Sequence, residues 1–213
     1  MRGAGALVKL YRTGTARLLR LRLLFPPPYG PIDSVRDRVI AHVTIESLNL
    51  WSNFVRSYYL ACVRNARTSA GPRVTLITSF SGPQAALDYA VAHIKNKNIA
   101  AAPFARRDEP PWHDWSTLVK LCVALNISIT PQVQFASGYP TTMLRFLPVF
   151  RNFFAHRNDD TFRKTQTAAL QLGIPGGRAH PSRLLSTPAA GAAQPILADW
   201  LDDIQNLMDL LCN

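Results

Sequence analysis

Apolar residues recur at helical spacing along most of the chain, and the longest such stretch follows a proline-rich stop at 25–31. The pattern predicts a long helix from Asp33 or Ser34, either of which can cap it, to about Thr68. Its apolar positions are Leu48, Trp51, Val55, Tyr58 and Cys62. Gly71 and Pro72 then end it, because neither residue continues a helix readily.

The same period predicts further helices downstream. They are expected at about 83–97, from Asp114 to about Leu125, from Thr141 or Thr142 through 151–157, from Asp159 or Asp160 to about Leu172, and from Pro195 onward. Segments 100–113 and 126–139 are predicted as loops, and 73–79 as a short strand or an extended connector. Pro148 predicts a kink or a fresh helix start before the 151–157 segment. The predicted fold class is all-α, a bundle of four to six helices.

These elements divide the chain into four predicted parts. They are a basic N-terminal arm at 1–31, a helical domain at 32–172, a Gly/Pro/Ala linker or surface loop at 173–194, and a C-terminal amphipathic helix at 195–213. The last helix carries four aspartates and no base, so its charge is opposite to that of the arm. The two could pair within one chain or between chains, and the helix is expected to pack on the bundle or on a dimer partner.

Residues 1–25 carry six basic groups and no acid. Arginines spread among the apolar residues argue against a secretory signal, which has an uninterrupted apolar region. A basic amphipathic helix on acidic lipid or RNA, a transit peptide and a mis-chosen start codon all fit the composition. We expect a flexible or partner-dependent arm, and membrane contact through it is the less favoured interpretation.

The formal net charge of +11 over 213 residues favours an anionic partner, either nucleic acid or a membrane surface, although solubility alone also accounts for it. The cysteines Cys62, Cys122 and Cys212 form no CxxC pair, so we expect reduced core residues and a cytoplasmic location. The histidines show no metal-ligand spacing, so neither a metal nor a cofactor is predicted. The apolar runs are too short to cross a bilayer.

The sequence RNFFAHR, from Arg151 to Arg157, carries the most chemistry in the chain. Arginine matches phosphate, asparagine can orient a hydroxyl, and histidine can move a proton near neutral pH. On a helix Asn152 and His156 share one face, whereas Arg151 and His156 lie about 140° apart. Either the helix ends at His156 and Arg151 reaches round, or a second copy supplies the missing group in a composite cleft.

The same loose spacing recurs as Arg36/His42, and twice more before His113, from Arg106 and from Arg107. A structural interpretation of the motif is therefore open, since cations near a helix C-terminus interact well with its dipole.

Several other residues are candidates for substrate contact. Glu46, Asn49, Asn53 and Arg56 form a polar stripe on the long helix, which is either solvated or the wall of a cleft or dimer surface. The candidate substrate-binding residues are Arg157, Arg145, Arg56 and Glu46. Trp112 and Trp115, which flank His113, are either a base-stacking patch or buried core residues.

RNFFAHR resembles the signature of the HEPN superfamily in its RNxxAH form, which lies on a late helix of an all-α bundle. LWSNFVRSYYL at 50–60 is similar to the long first helix of one branch, and PPWHDWSTLVKLCVALNI at 110–127 fits its middle. The resemblance covers about residues 35–165. It implies a HEPN-like helical bundle.

The resemblance further implies that Arg151 and His156 are the catalytic pair and Asn152 their polar helper. It implies a metal-independent RNA endonuclease that leaves 2′,3′-cyclic phosphate ends, acts as a homodimer with a composite active site, and serves as a toxin or antiviral effector. An antitoxin or sensor protein would then be a further partner. The alternative is a non-catalytic adaptor of the same superfamily that binds RNA or a nucleotide.

Overall fold

The computed structural model describes residues 6–27, 29, 31–174 and 178–213, and it is mainly helical. The α-helices in these ranges are α1 Ala6–Leu24, α2 Ser34–Cys62, α3 Pro83–Lys95, α4 Trp115–Ala124, α5 Thr130–Ser137, α6 Met143–His156, α7 Asp159–Gln171, α8 Pro181–Leu185 and α9 Ile196–Cys212. Two 3₁₀ turns, Ile99–Ala101 and Arg106–Asp108, precede α4. The all-α prediction is confirmed, but the nine helices of these ranges exceed the four to six expected.

The chain forms two compact units. One contains the described residues of Met1–Gly14, Trp51–Tyr139 and Leu207–Asn213, and the other contains those of Thr15–Leu50 and Pro140–Asn206. Helices α1, α2 and α9 each contribute residues to both units. The RNFFAHR motif lies entirely in the second unit.

The predicted helix starts are mostly correct. Asp114 caps α4, where its carboxylate accepts a hydrogen bond from the Ser116 amide at 2.9 Å. At α7 the cap is Asn158 rather than an aspartate, because Asn158 and Thr161 form a reciprocal capping box. Helix α2 ends at Cys62, earlier than expected.

The backbone conformation after Cys62 shows why α2 ends early. Asn65 adopts the left-handed conformation at φ 56°, and the Val74 amide then donates to the Ala66 carbonyl at 2.8 Å. Residues 73–79 are an extended connector, with one isolated bridge between Arg67 and Arg73 and no strand within the described part of the chain.

For the residues described there, the N-terminal arm forms the helix α1 rather than a flexible segment, and its dependence on a partner stays a prediction. Helix α1 buries Leu7, Leu18 and Leu21. Arg22 forms an ion pair with Asp202 of α9 at 2.7 Å, so the predicted charge pairing occurs within one chain. Residues 1–5 of the arm lie outside the described residues.

Two predicted loops contain helices. In 126–139, α5 buries only Val133 and Ala136, which is too short an apolar pattern to be recognised from sequence. In 173–194, α8 buries Leu184 and Leu185 completely or nearly so, which shows that the predicted linker packs against a core. Residues 175–177 of that segment lie outside the described ranges.

Aromatic side chains fill the core of the first unit. The ring of Trp51 stacks on that of Trp115 at 5.5 Å, and Tyr59 contacts Trp112 at 5.4 Å. Both tryptophans beside His113 are buried, so they do not form an exposed base-stacking patch. The three cysteines are free and buried, as expected. None of the described helices combines the length and the apolar character that a bilayer crossing requires.

An ion pair joins α2 to the segment before α4. The Arg56 guanidinium donates to both carboxylate oxygens of Glu109, at 2.6 and 2.9 Å, and Trp112 Nε1 donates to the same carboxylate at 2.7 Å. The Glu109 side chain is only 11% exposed. Burial raises the pKa of Glu109, but hydrogen bonds from Arg56 and Trp112 outweigh it, and the net shift is downward.

We expect Glu109→Ala to lower the free energy of unfolding by about 2–3 kcal/mol, because it leaves the Arg56 and Trp112 donors unpaired in a partly buried site. Urea denaturation measures this effect. Asp160→Ala is the matched control, since it breaks the Asp160–Lys164 pair, whose side chains are 61% and 65% exposed. A Glu109→Ala protein as stable as the control protein would contradict the structural role of this pair.

Candidate active site

Helix α6 places the motif by burying one aromatic face. Its buried residues are Met143, Phe146, Leu147, Phe150, Phe153 and Phe154. The helix continues through Pro148 without the fresh start that the proline suggested. Phe150 contacts Trp200 of α9 edge to face at 5.7 Å, and Trp200 Nε1 donates to Thr142 Oγ1 at 3.0 Å near the start of α6.

The polar residues of the motif lie on the opposite side of α6. Asn152 and His156 are both exposed and four residues apart, so they share a face. Arg151 is half-buried, and its Nη1 lies 3.4 Å from Asn152 Oδ1 as a long hydrogen bond. In the structure Arg151 therefore contacts Asn152, and Asn152 lies on the same face of α6 as His156.

Helix α6 ends at His156, as one of the two sequence interpretations required, but Arg151 contacts Asn152, and among the described residues it makes no contact with His156. Arg157 adopts the left-handed conformation at φ 45°, and its amide donates back to the Phe153 carbonyl. This is the usual way for a helix to close its last turn, although glycine is the common residue there. His156 is therefore the last helical residue of α6 and directly precedes the residue that ends the helix.

Neither His156 nor Arg151 is used for structural ion pairs. Among the residues that the structure describes, the His156 imidazole has no hydrogen-bond or ion-pair partner, and Arg151 has only the contact with Asn152. The two side chains thus remain available to a ligand.

Arg157 is held by Asp37 in the first turn of α2. Its Nη1 and Nη2 both donate to Asp37 Oδ2 at 3.1 Å, and its guanidinium lies 5.7 Å from the centre of the Phe154 ring. The side chain is 46% exposed and that of Asp37 is 18% exposed. Arg157 therefore joins the end of α6 to α2, and its assignment to substrate binding stays a prediction.

Asp37 is the centre of a polar cluster with α8. Ser182 Oγ donates a short hydrogen bond to Asp37 Oδ1, and His180 Nδ1 lies 3.5 Å from the same oxygen. The Ser182 amide also donates to His180 Nδ1 at 3.4 Å.

Burial raises the pKa of Asp37, but the hydrogen bonds from Ser182 and Arg157, together with the charges of Arg157 and His180, outweigh it and place the pKa below its ordinary value of 3.8. Nothing in the local sequence signals this cluster, because Asp37 is 120 positions from Arg157 and 145 from Ser182. It is a polar cluster at the end of the motif that sequence reasoning missed.

Each of the remaining substrate-binding candidates contacts a residue outside the motif. Arg145 donates to Gln171 at 3.0 Å and lies over the Phe146 ring, and Glu46 accepts from Asn49 at 3.0 Å. Arg56 belongs to the first unit, where Glu109 engages its guanidinium. Their assignment to substrate binding stays a prediction, and Arg56 has a structural partner that accounts for its presence.

Within the described ranges, no group of three or more His, Cys, Asp or Glu side chains is arranged to hold a metal ion. None of the protein families, curated proteins and solved structures compared with the chain matches it.

The Asp37 cluster generates a prediction about pH. Because the folded pKa of Asp37 is lowered, its contribution to stability is present above the unfolded pKa of 3.8 and is lost as pH falls through the folded value. We expect Asp37→Asn to reduce the free energy of unfolding at pH 7 by about 1–3 kcal/mol. The difference from wild type should shrink as the pH is lowered below about 4.

Urea denaturation between about pH 7 and pH 3 measures this difference. Asp33→Asn is the matched control: it makes the same charge change at the exposed start of α2, where Asp33 accepts from the Arg36 amide and asparagine caps equally well. A wild-type advantage over Asp37→Asn that stays constant across this range would contradict the ion-pair origin of the effect.

Proposed function

We propose that this chain is a metal-independent RNA endonuclease with a HEPN-like helical bundle. The observation that carries the proposal is the exposed face of Asn152 and His156 at the end of α6, on a helix whose other face is fixed by buried aromatic rings. The Arg151 guanidinium lies beside this face, where it contacts the Asn152 side chain. An imidazole, an amide and a guanidinium that form no ion pair within the described ranges are a set suited to a phosphodiester.

The proposed reaction is an internal transesterification. The 2′-oxygen forms a bond to phosphorus and loses its proton to a base, while the bond from phosphorus to the 5′-oxygen breaks and that oxygen gains a proton from an acid. The products are a 2′,3′-cyclic phosphate and a 5′-hydroxyl. His156 serves one or both proton steps, Arg151 stabilises the charge that develops on the phosphate, and Asn152 orients an oxygen.

The position of Arg151 supports a homodimeric site. Arg151 and His156 lie about 140° apart around an ideal helix, so one α6 does not direct both at the same atom. Two copies that approach through their His156 faces would place the Arg151 guanidinium of each chain beside the His156 imidazole of the other, in two equivalent sites. Each site then combines a cation from one chain with a proton-transfer group from the other.

The net charge of +11 fits an RNA substrate, because phosphate neutralisation contributes much of the affinity for nucleic acid. We propose that the nuclease acts as a toxin or antiviral effector, which would require an antitoxin or sensor protein to restrain it.

The first test removes the imidazole. Wild-type protein should cleave single-stranded RNA in EDTA and leave cyclic phosphate ends, and His156→Ala should lower the rate by about 100-fold or more. His42→Ala is the matched control, because His42 is also exposed, belongs to the same unit and follows Arg36 at a similar spacing. RNA binding without any cleavage would instead favour the adaptor function, and cleavage that EDTA abolishes would refute the mechanism.

The second test separates a composite site from a site within one chain. Arg151→Ala and His156→Ala proteins should each be inactive, but a mixture allowed to exchange subunits should recover about a quarter of wild-type activity, because half of the dimers are mixed and each has one intact site of two. An exchanged mixture that remains as inactive as its components would show that both groups must come from the same chain.

A further inference from the structure

A groove on α7 begins close to the proposed site. It has a volume of about 760 Å³, and its lining includes Asp159, Phe162, Arg163, Leu170 and Arg178. Asp159 is three residues after His156, so the two Cα atoms are at most about 11 Å apart. Phe162 also contacts Phe153 of the motif, with the ring centres 6.1 Å apart. The groove and the motif therefore share one region of the same unit.

The charge of the groove suits an anion. Arg163 and Arg178 are exposed, and among the described residues neither forms a direct ion pair, although the Asp160 carboxylate is near enough for its charge to interact with that of Arg163. Arg22, Arg56 and Arg157 each bind a carboxylate, whereas most of the described arginines, like Arg163 and Arg178, do not. Asp159 is the one carboxylate among the described lining residues, at the end nearest the motif. Phosphate groups would therefore be attracted along the side of Arg163 and Arg178.

The apolar part of the groove argues against a purely ionic ligand. Leu170 is 75% exposed although it is a large apolar side chain, and the half-buried Phe162 adds an aromatic surface beside it. A nucleobase covers such a surface while its phosphate reaches an arginine, which is the combination that single-strand binding proteins use. An RNA duplex hides its bases and would leave Leu170 uncovered.

We propose that the α7 groove is a binding subsite for single-stranded RNA, in which Arg163 and Arg178 bind the backbone and Phe162 and Leu170 contact a base. This proposal rests on the proposed endonuclease function and extends it: the strand would pass from the His156 face along α7. The groove then selects unpaired RNA and holds it next to the cleavage site.

The test measures binding in a His156→Ala background, so that RNA is not cut. Arg163→Ala with Arg178→Ala should raise the Kd for a single-stranded RNA about tenfold at low salt, because two cations that bind phosphates are removed. The slope of log Kd against log salt should fall by about 1.4, which is about 0.7 for each of the two phosphates. The control pair is Arg106→Ala with Arg107→Ala, which removes the same charge from an exposed 3₁₀ turn in the other unit. The control should change the Kd by less than about twofold.

A second pair of variants tests the groove at an exposed position, where a substitution is not expected to unfold the protein. Leu170→Asp changes an exposed position, so the fold should persist, and the new carboxylate should weaken RNA binding several-fold. Leu170→Gln is its neutral partner and should bind more tightly than Leu170→Asp. Circular dichroism and urea denaturation confirm that each variant is folded.

Three results would overturn the groove proposal. The first is an equal change in Kd for the groove pair and the control pair. The second is an equal Kd for Leu170→Asp and Leu170→Gln. The third is equal competition by polyglutamate and single-stranded RNA, which would indicate a general acidic ligand. The cleavage assay in EDTA judges the endonuclease separately. If wild type cleaves RNA while the groove variants bind normally, only the groove proposal fails.

Discussion

The burial of the aromatic face of α6 is the constraint on which the candidate site depends. Phe150 is completely buried against Trp200, and Trp200 is in turn held by its hydrogen bond to Thr142. Turning α6 about its axis would bring the Phe150 ring towards water, at a cost of several kcal/mol for an aromatic side chain. The rotation of the helix is thus fixed, and with it the outward direction of Asn152 and His156.

The end of α6 depends on a different interaction. Arg157 must adopt a left-handed backbone, which is unfavourable for any residue other than glycine, asparagine or aspartate. Its two hydrogen bonds to Asp37 and its contact with the Phe154 ring offset that cost. The two arginines of the motif consequently differ: the charge of Arg157 is compensated within the fold, whereas that of Arg151 has no ion-pair partner among the described residues.

Local sequence was sufficient for features that depend on local physics. The periodic apolar positions identified α2, α3, α4, α6, α7 and α9, and the end of α6 at His156 agreed with one of the two interpretations of the motif. Sequence failed where tertiary contacts decide the outcome. Helix α1 is ordered by burial of Leu18 and by the Arg22–Asp202 pair, and the partners of Asp37 are more than a hundred positions away. No local pattern contains such information.

The distribution of paired and unpaired arginines limits the interpretation of the net charge. The surplus of +11 fits solubility as well as an anionic partner, so the location of the arginines is the more informative observation. Arg163 and Arg178 nevertheless share a concave groove with Phe162 and Leu170, on the helix that follows the motif. We propose that this combination of cations and apolar surface suits a ligand that combines flat apolar rings with negative charge, as a single strand of RNA does.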